Sequence, residues 1–284
     1  MTLSFRFGTV GSPKETPKKP GGSVGAIEYS RSIGLDALEL GWVQAVRVTE
    51  TACNLICQAG GMHDVAVSVH APYFINLNAG DEEWPKSRKR LMDAAYYGHI
   101  AGATDIIFHP GSYFGNLPDV VLLLAIERLA GCVSELRVDG NPVTLRPETM
   151  GKQAMLGSLD DTLIMSSQVA GVYPCVDFAH LYARTGDGSN NTVDVWMRML
   201  EQYEKALGAE ALGRMHIHLS GIQYGPKGEK SHLPVGESGL DTRAVLQALH
   251  RAGCKGRILC ESPEMEKDAQ VLKQQWMEVS GECE

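Results

Sequence analysis

The chain has 284 residues, 44% of them hydrophobic, 21% charged and 7% aromatic, and its 26 Lys+Arg against 34 Asp+Glu leave a formal charge of −8. This mixture excludes a disordered, collagen-like or fibrous chain, because it holds ample apolar material for a packed core. It also excludes a membrane span: the longest uninterrupted apolar run, Val120 to Ile126, lies between Asp119 and Glu127 and falls far short of the ~20 residues a spanning helix needs.

In chain order, short runs rich in Val, Ile and Leu alternate with longer stretches of helical periodicity. Leu3–Gly8 reads as a strand and Gly25–Ile33 as a helix, followed by Ala37–Trp42 and Thr49–Ala59, then Val65–His70 and Lys86–Ala101. Asp105–His109 precedes Pro118–Leu136, Val143–Arg146 precedes Leu159–Val169, and Tyr173–Asp177 precedes Thr192–Leu207. Met215–Leu219 with Thr242–Ala252, and Arg257–Glu261 with Glu264–Val279, complete the series. Periodicity is clearest in Lys86–Ala101, where Leu91, Ala94, Ala95, His99 and Ile100 are expected on one face. Pro118 and Asp119 suit a first helical turn. Pro13–Gly22 and Gly186–Asn191 read as loops.

Eight strands alternating with eight helices predict an α/β chain with a parallel sheet covered by helices, and eight is the number of units that closes a (β/α)8 TIM barrel. One barrel accommodates the whole chain, so a single domain over 1–284 is expected. An open doubly wound sheet with two extra units is the competing architecture. Seven cysteines without a CxxC pair argue against a disulfide scaffold and for a reducing, cytoplasmic setting. No apolar signal core follows Met1. The cysteines read as small buried apolar residues.

In such a barrel the C-terminal strand ends face the active-site mouth, and metal-ligating side chains collect there. His70 ends the third run and His109 the fourth, Glu148 follows the fifth, and Asp177 and His180 end the sixth. His218 lies in the seventh with His216 two residues deeper, His232 follows in the next loop, and Glu261 ends the eighth. A single histidine at a strand end is more often structural. Eight such groups at equivalent places in six consecutive units require cations, since an unpaired carboxylate cluster would be repulsive and costly to desolvate. Imidazoles with carboxylates suit Zn2+ best, with Mn2+ or Fe2+ as other occupants. The ligands are too many for one ion, and Glu148 stands near the middle of the set. His63, His99 and His250 receive no role.

The runs Ser68-Val69-His70-Ala71-Pro72-Tyr73-Phe74-Ile75-Asn76-Leu77, Phe108-His109-Pro110-Gly111, Pro147-Glu148-Thr149-Met150-Gly151-Lys152 and Val176-Asp177-Phe178-Ala179-His180 belong together with Ile217-His218-Leu219-Ser220, His232-Leu233-Pro234-Val235-Gly236-Glu237 and Glu261-Ser262-Pro263. In this order and spacing the chain resembles the endonuclease IV family, metal-dependent apurinic/apyrimidinic (AP) endonucleases on a xylose-isomerase-like barrel. The resemblance implies hydrolysis of the phosphodiester 5′ to abasic sites in duplex DNA, in DNA repair, by a monomer holding two or three Zn2+ and no organic cofactor. It implies that His70, His109 and Glu148 hold one ion, that Glu148 bridges to a second held by Asp177, His218 and Glu261, and that His180 and His232 hold a third. Glu148 and Glu261 would serve catalysis directly. Tyr73-Phe74 match a pair that the family inserts into the duplex at the lesion, and Arg47 is a match to another inserting residue.

One departure stands out. The family places an Asp two residues before the histidine matched by His232, and here that position is Lys230, with Glu229 adjacent. The third site is therefore expected to be weak, differently ligated or empty, or Lys230 to supply charge to a DNA phosphate in place of an ion. Arg47, Lys152, Arg184, Lys227 and Lys230 are the basic candidates for backbone contact. Two other readings keep the barrel. One is a metal-dependent sugar isomerase or epimerase, which would have no use for an exposed Tyr73-Phe74 wedge; the other is a non-catalytic damaged-DNA-binding homologue, motivated by Lys230.

Overall fold

The computed structural model describes residues 4–282, so Leu3, at the start of the first predicted strand, and Cys283 lie outside the described residues. In order the elements are β1 (Phe5–Val10), α1 (Gly22–Ser32), β2 (Ala37–Gly41), α2 (Glu50–His63), β3 (Ala66–His70), α3 (Trp84–Ile100), β4 (Asp105–Phe108) and α4 (Pro118–Val138). They continue with β5 (Thr144–Pro147), α5 (Leu159–Gln168), β6 (Cys175–Asp177), α6 (Phe178–Arg184), α7 (Val193–Leu207), α8 (Ala209–Leu212) and β7 (Met215–His218). The last are β8 (Gly221–Gly225), β9 (Gly228–Leu233), a 3-10 turn (Val235–Glu237), α9 (Thr242–Arg251), β10 (Gly256–Cys260) and α10 (Glu266–Ser280).

Eight parallel strands run in the order β5-β4-β3-β2-β1-β10-β7-β6. The ends of this row meet through the parallel bridges Leu145–Val172 and Glu148–Cys175, with Leu145 N–H donating to the Gly171 carbonyl at 3.1 Å and Thr149 N–H to the Cys175 carbonyl at 3.0 Å. The row is thus a nearly closed TIM barrel rather than an open doubly wound sheet, which would leave two free edges. Strand β6 is short because Asp177 both ends it and caps the next helix, its carboxylate accepting from His180 N–H at 2.7 Å. That places helix α6 where the sequence reading has only a connection.

Local chemistry explains most helix starts. Thr49 and Thr192 each accept from the N–H three residues on, Ser158 and Asp161 form a reciprocal capping box, and Pro118 opens α4, where the N–H that proline lacks would have gone unpaired anyway. One predicted helix face is corrected. Leu91, Ala94 and Ala95 of α3 are buried, but the stripe continues through Gly98, while His99 is exposed. Gly98 lies so close to β3 and β4 that a Cβ there would meet Ile106 Cδ1 at 2.6 Å and Val69 Cγ2 at 3.2 Å. This backbone contact rotates the helix and turns His99 outward.

Large side chains fill the space between barrel and helices, among them Trp196, Tyr203 and Trp276, the last packing edge-on to Phe5 at 4.9 Å. Each fully buried side chain of this size contributes up to about 3 kcal/mol. Inside the barrel the filling is polar. Near the strand starts, Asp105 is shared by Arg146 and Arg257, and Arg146 also donates to the Pro174 and Arg214 carbonyls. With its donors satisfied, this buried group forms a rigid floor. Above it, toward the strand ends, come Glu39, Ser68 and His216, and then the cluster described next.

Candidate metal centre

The structure brings His70, His109, Glu148, Asp177, His180, His218, His232 and Glu261 together at the C-terminal mouth. His70 and His218 are the last residues of β3 and β7. His109, Glu148 and Glu261 directly follow β4, β5 and β10, and His180 lies in the first turn of α6. Their ligand atoms form overlapping groups, each within 4.8 Å: His70 with His109 and Glu148; Glu148 with Asp177, His218 and Glu261; and Asp177 with His180, His232 and Glu261.

Glu148 is the shared member, and its two oxygens face different ways. Oε2 lies 3.3 Å from His70 Nε2 and 3.4 Å from His109 Nε2, whereas Oε1 lies 3.1 Å from His180 Nδ1 and 3.5 Å from His218 Nδ1. The separations from His70, His109 and His218 exceed the usual hydrogen-bond range. They match instead the ~3.3 Å edge of a tetrahedron with bonds of about 2.05 Å to zinc. His232 Nε2 to Glu261 Oε2 at 3.3 Å and His218 Nδ1 to Glu261 Oε1 at 3.6 Å fall in the same interval.

The second ring nitrogens fix the orientations. Nδ1 of His70 bonds to the Ala71 carbonyl at 2.9 Å, Nδ1 of His180 to the Thr149 carbonyl at 2.9 Å, and Nδ1 of His232 to Ser220 Oγ at 2.8 Å. Each thereby turns Nε2 toward the centre. His218 is reversed: Nε2 donates to Glu39 Oε1 at 3.0 Å, which leaves Nδ1 facing inward. Outer partners of this kind set imidazole tautomers at metal sites.

A test of fit comes from unpaired atoms. Glu148 Oε1, Asp177 Oδ2, His218 Nδ1 and Glu229 Oε2 are all buried without a hydrogen-bond partner, and all four face this one region. Buried polar atoms are almost always paired, so four orphans around one space mark a place built for cations, and the nitrogen and oxygen donor set fits Zn2+, Mn2+ or Fe2+. Electrostatics agree. Burial pushes the Asp177 carboxyl up to about 6, aided by Glu148 and Glu261 and opposed by His180. Burial alone would lower His180 and His218, but Asp177 and Glu148 raise the former, and Cys175 with Glu39 the latter, well above the ordinary histidine value. The carboxylates therefore draw positive charge inward, as protons or as cations.

At the rim, Tyr73 and Phe74 are 44% and 57% exposed on the loop after β3. Tyr73 stacks on His109 with centroids 4.9 Å apart, and the guanidinium of Arg90 lies 5.9 Å from the Phe74 ring. Arg47 is exposed in the loop after β2, and Lys227 at the turn of the β8–β9 hairpin. Two basic candidates are otherwise engaged. Arg184 donates to the Met150, Lys152 and Met155 carbonyls, tying down the loop after β5, and Lys152 Nζ lies 3.8 Å from Glu229 Oε1. Lys230 is exposed on β9, while Glu229 beside it turns toward His180.

Sequence reasoning missed Glu39. It lies fully buried in the middle of β2 and accepts from His216 at 2.8 Å, His218 at 3.0 Å and Ser68 at 2.9 Å. A lone acidic residue in the apolar run Ala37–Trp42 was its only signal. His216 is buried behind His218, with its pKa lowered to about 4 chiefly by burial. Cys175, near both histidines, has its thiol pushed up by burial. Among the described cysteines Cys57 is exposed, against the expectation of burial, because it lies on the outer face of α2.

Comparison with known proteins places this geometry. The family model of the xylose isomerase-like TIM barrel, AP endonuclease 2, matches residues 27–278. An uncharacterized protein of Methanocaldococcus jannaschii is 37% identical over 267 residues, covering 94% of each chain. Endonuclease 4 of Thermus thermophilus is 28% identical over 214 residues, covering 69% of this chain and 71% of that protein. Among solved structures, a D-tagatose 3-epimerase-like protein superimposes with a TM-score of 0.71 at 18% identity over 98% of both chains, a likeness of fold. The chain belongs to the AP endonuclease 2 family of xylose isomerase-like TIM barrels.

Proposed function

We propose that this barrel is a metal-dependent endonuclease that hydrolyses the phosphodiester 5′ to abasic sites in duplex DNA. The observation that carries the reading is the convergence of eight imidazoles and carboxylates on one centre, with Glu148 directing an oxygen to each side of it. His70, His109 and Glu148 would hold one divalent ion, Glu148, Asp177, His218 and Glu261 a second, and His180 and His232 a third. Ions bound there would lower the pKa of water and neutralise charge on a phosphoryl group. The chain's own work is positional. Glu261, 11% exposed at the floor of the mouth, is placed to orient an attacking water and accept its proton. Tyr73 and Phe74 would hold the lesion open, and Arg47, Lys227 and Lys230 would contact the phosphate backbone, supplying local positive charge in an acidic chain.

The fold does not choose between a nuclease and an epimerase, since both occur on it. The rim favours the nuclease. A sugar site encloses its ligand, whereas here two aromatic rings project from the mouth, suited to stacking on bases. The deciding experiment incubates purified protein with a duplex carrying one abasic site, with and without a chelator. Metal-dependent cleavage leaving a 3′-hydroxyl and a 5′-deoxyribose phosphate is expected; no nick at the lesion refutes the reading. Tyr73→Ala with Phe74→Ala should weaken abasic-duplex binding at least tenfold, since stacking contributes about 1–3 kcal/mol per base. Metal content should stay unchanged. Equal binding by the double variant would remove the wedge from the mechanism.

A further inference from the structure

We infer that Glu229, delivered by a β-bulge at Lys230, is the ligand that completes the outermost cation position beside His180 and His232. This inference rests on the metal-dependent reading above and concerns a residue that simple alignment to His232 would pass over.

The register of the β8–β9 hairpin carries the argument. Gln223 lies opposite Ser231 and Tyr224 opposite Glu229, so Lys230 has no opposite number and is the extra residue of a bulge. In an unbroken strand, alternate residues share a face, and Lys230 would point the same way as His232 with Glu229 pointing away. One inserted residue reverses that alternation from there on. Glu229 and His232 then face the mouth together. Lys230 instead lies over Gly225, its Cε and Nζ 3.0 and 3.3 Å from where a Cβ on that glycine would sit.

The rest of the hairpin holds Glu229 in that position. Its N–H donates to the Gly151 carbonyl at 3.0 Å. The adjoining Gly228 has φ +98°, and a Cβ there would fall 2.1 Å from the Gly151 carbonyl oxygen, so only glycine permits the approach. Opposite, a Cβ on Gly151 would fall 2.6 Å from Glu229 Cβ and 2.7 Å from its Oε2. Two glycines thus clear the space in which the carboxylate is seated.

What Glu229 does there follows from its neighbours. Oε1 faces Lys152 Nζ at 3.8 Å. Oε2 is buried, makes no hydrogen bond, and lies 3.6 Å from His180 Nε2. Because His180 Nδ1 is committed to the Thr149 carbonyl, Nε2 is the ring atom with a lone pair to offer, and Glu229 is the carboxylate it faces. Their separation is close to the ~3.3 Å between neighbouring ligands of a tetrahedral zinc ion. Lys230, in register with the expected aspartate, therefore leaves the ligand position to Glu229.

The test counts metal. The unaltered chain, Glu229→Ala, Glu229→Gln and Lys230→Ala are each loaded with excess Zn2+, gel-filtered and assayed by elemental analysis. Circular dichroism and chelator-treated melting curves establish that all four fold alike. One ion fewer per chain is expected in Glu229→Ala, with full content in Lys230→Ala. Glu229→Gln should need at least tenfold more Zn2+ to fill the same position. Equal content in Glu229→Ala and the unaltered chain, or loss in Lys230→Ala instead, overturns the inference while leaving the other cation positions standing. An unaltered chain that takes up no zinc overturns the metal-dependent reading and this inference together.

Discussion

Glu148→Gln is expected to reduce metal-dependent cleavage of abasic duplex by about 10³-fold or more, equivalent to about 4 kcal/mol of transition-state stabilisation. The side chain keeps its shape, so the effect is electrostatic. The wild-type carboxylate presents Oε2 to His70 and His109 and Oε1 to His180 and His218, and although burial alone would raise it, His218, His109 and His180 hold it well below the usual carboxylate range. An amide supplies one acceptor and turns an N–H2 toward the other pair. Both halves of the centre are then damaged by one substitution, so zinc content should fall by more than one ion per chain. Substituting His109, which faces only Oε2 and is 21% exposed, should remove a single ion. If Glu148→Gln retained full metal content and lost only rate, the carboxylate would act on the substrate and not between two cations.

The contrast between these residues and Glu229 shows which parts of the site a sequence can reveal. His70, His109, Asp177, His218 and Glu261 fall at strand ends, and in a parallel barrel a strand end is a fixed place in space. Recognising the strand therefore locates the side chain. The eight strands were recognisable because strands covered by helices are continuous apolar runs, and observed ends differ by one or two residues. Glu229 depends on a bulge, which shifts facing by one residue without altering composition. The Gly-Pro-Lys-Gly run at 225–228 marks the turn but says nothing about which neighbouring residue is extra. His99 failed for a related reason: a glycine contact, not the apolar count, set the rotation of α3. The seven-residue helix α6 is too short for periodicity to register, and its cap, Asp177, is also the last residue of β6 and a candidate ligand.

Glu39→Ala is expected to be the most destabilising single change at the centre, although Glu39 reaches no ligand position itself. Its carboxylate accepts from His216, His218 and Ser68, all buried. Removing it leaves three donors without an acceptor in the barrel interior, a loss of about 3–5 kcal/mol for a broken buried ionic group. In chelator-treated protein the melting temperature should fall by roughly 6–20 °C, taking about 2–4 °C per kcal/mol for a domain somewhat smaller than this one. The second effect falls on metal. Without Glu39, His218 Nε2 has no acceptor and the ring is free to present either nitrogen, so zinc affinity at the position shared with Asp177 and Glu261 should drop by about 10–100-fold. Glu39→Gln separates the two effects. It keeps one acceptor and the packing volume, so most of the stability returns, but its N–H2 opposes one imidazole N–H and disturbs the tautomer. A zinc titration of Glu39→Gln that matches the unaltered chain would mean that strand β7 alone orients His218, and would confine Glu39 to holding the barrel interior together.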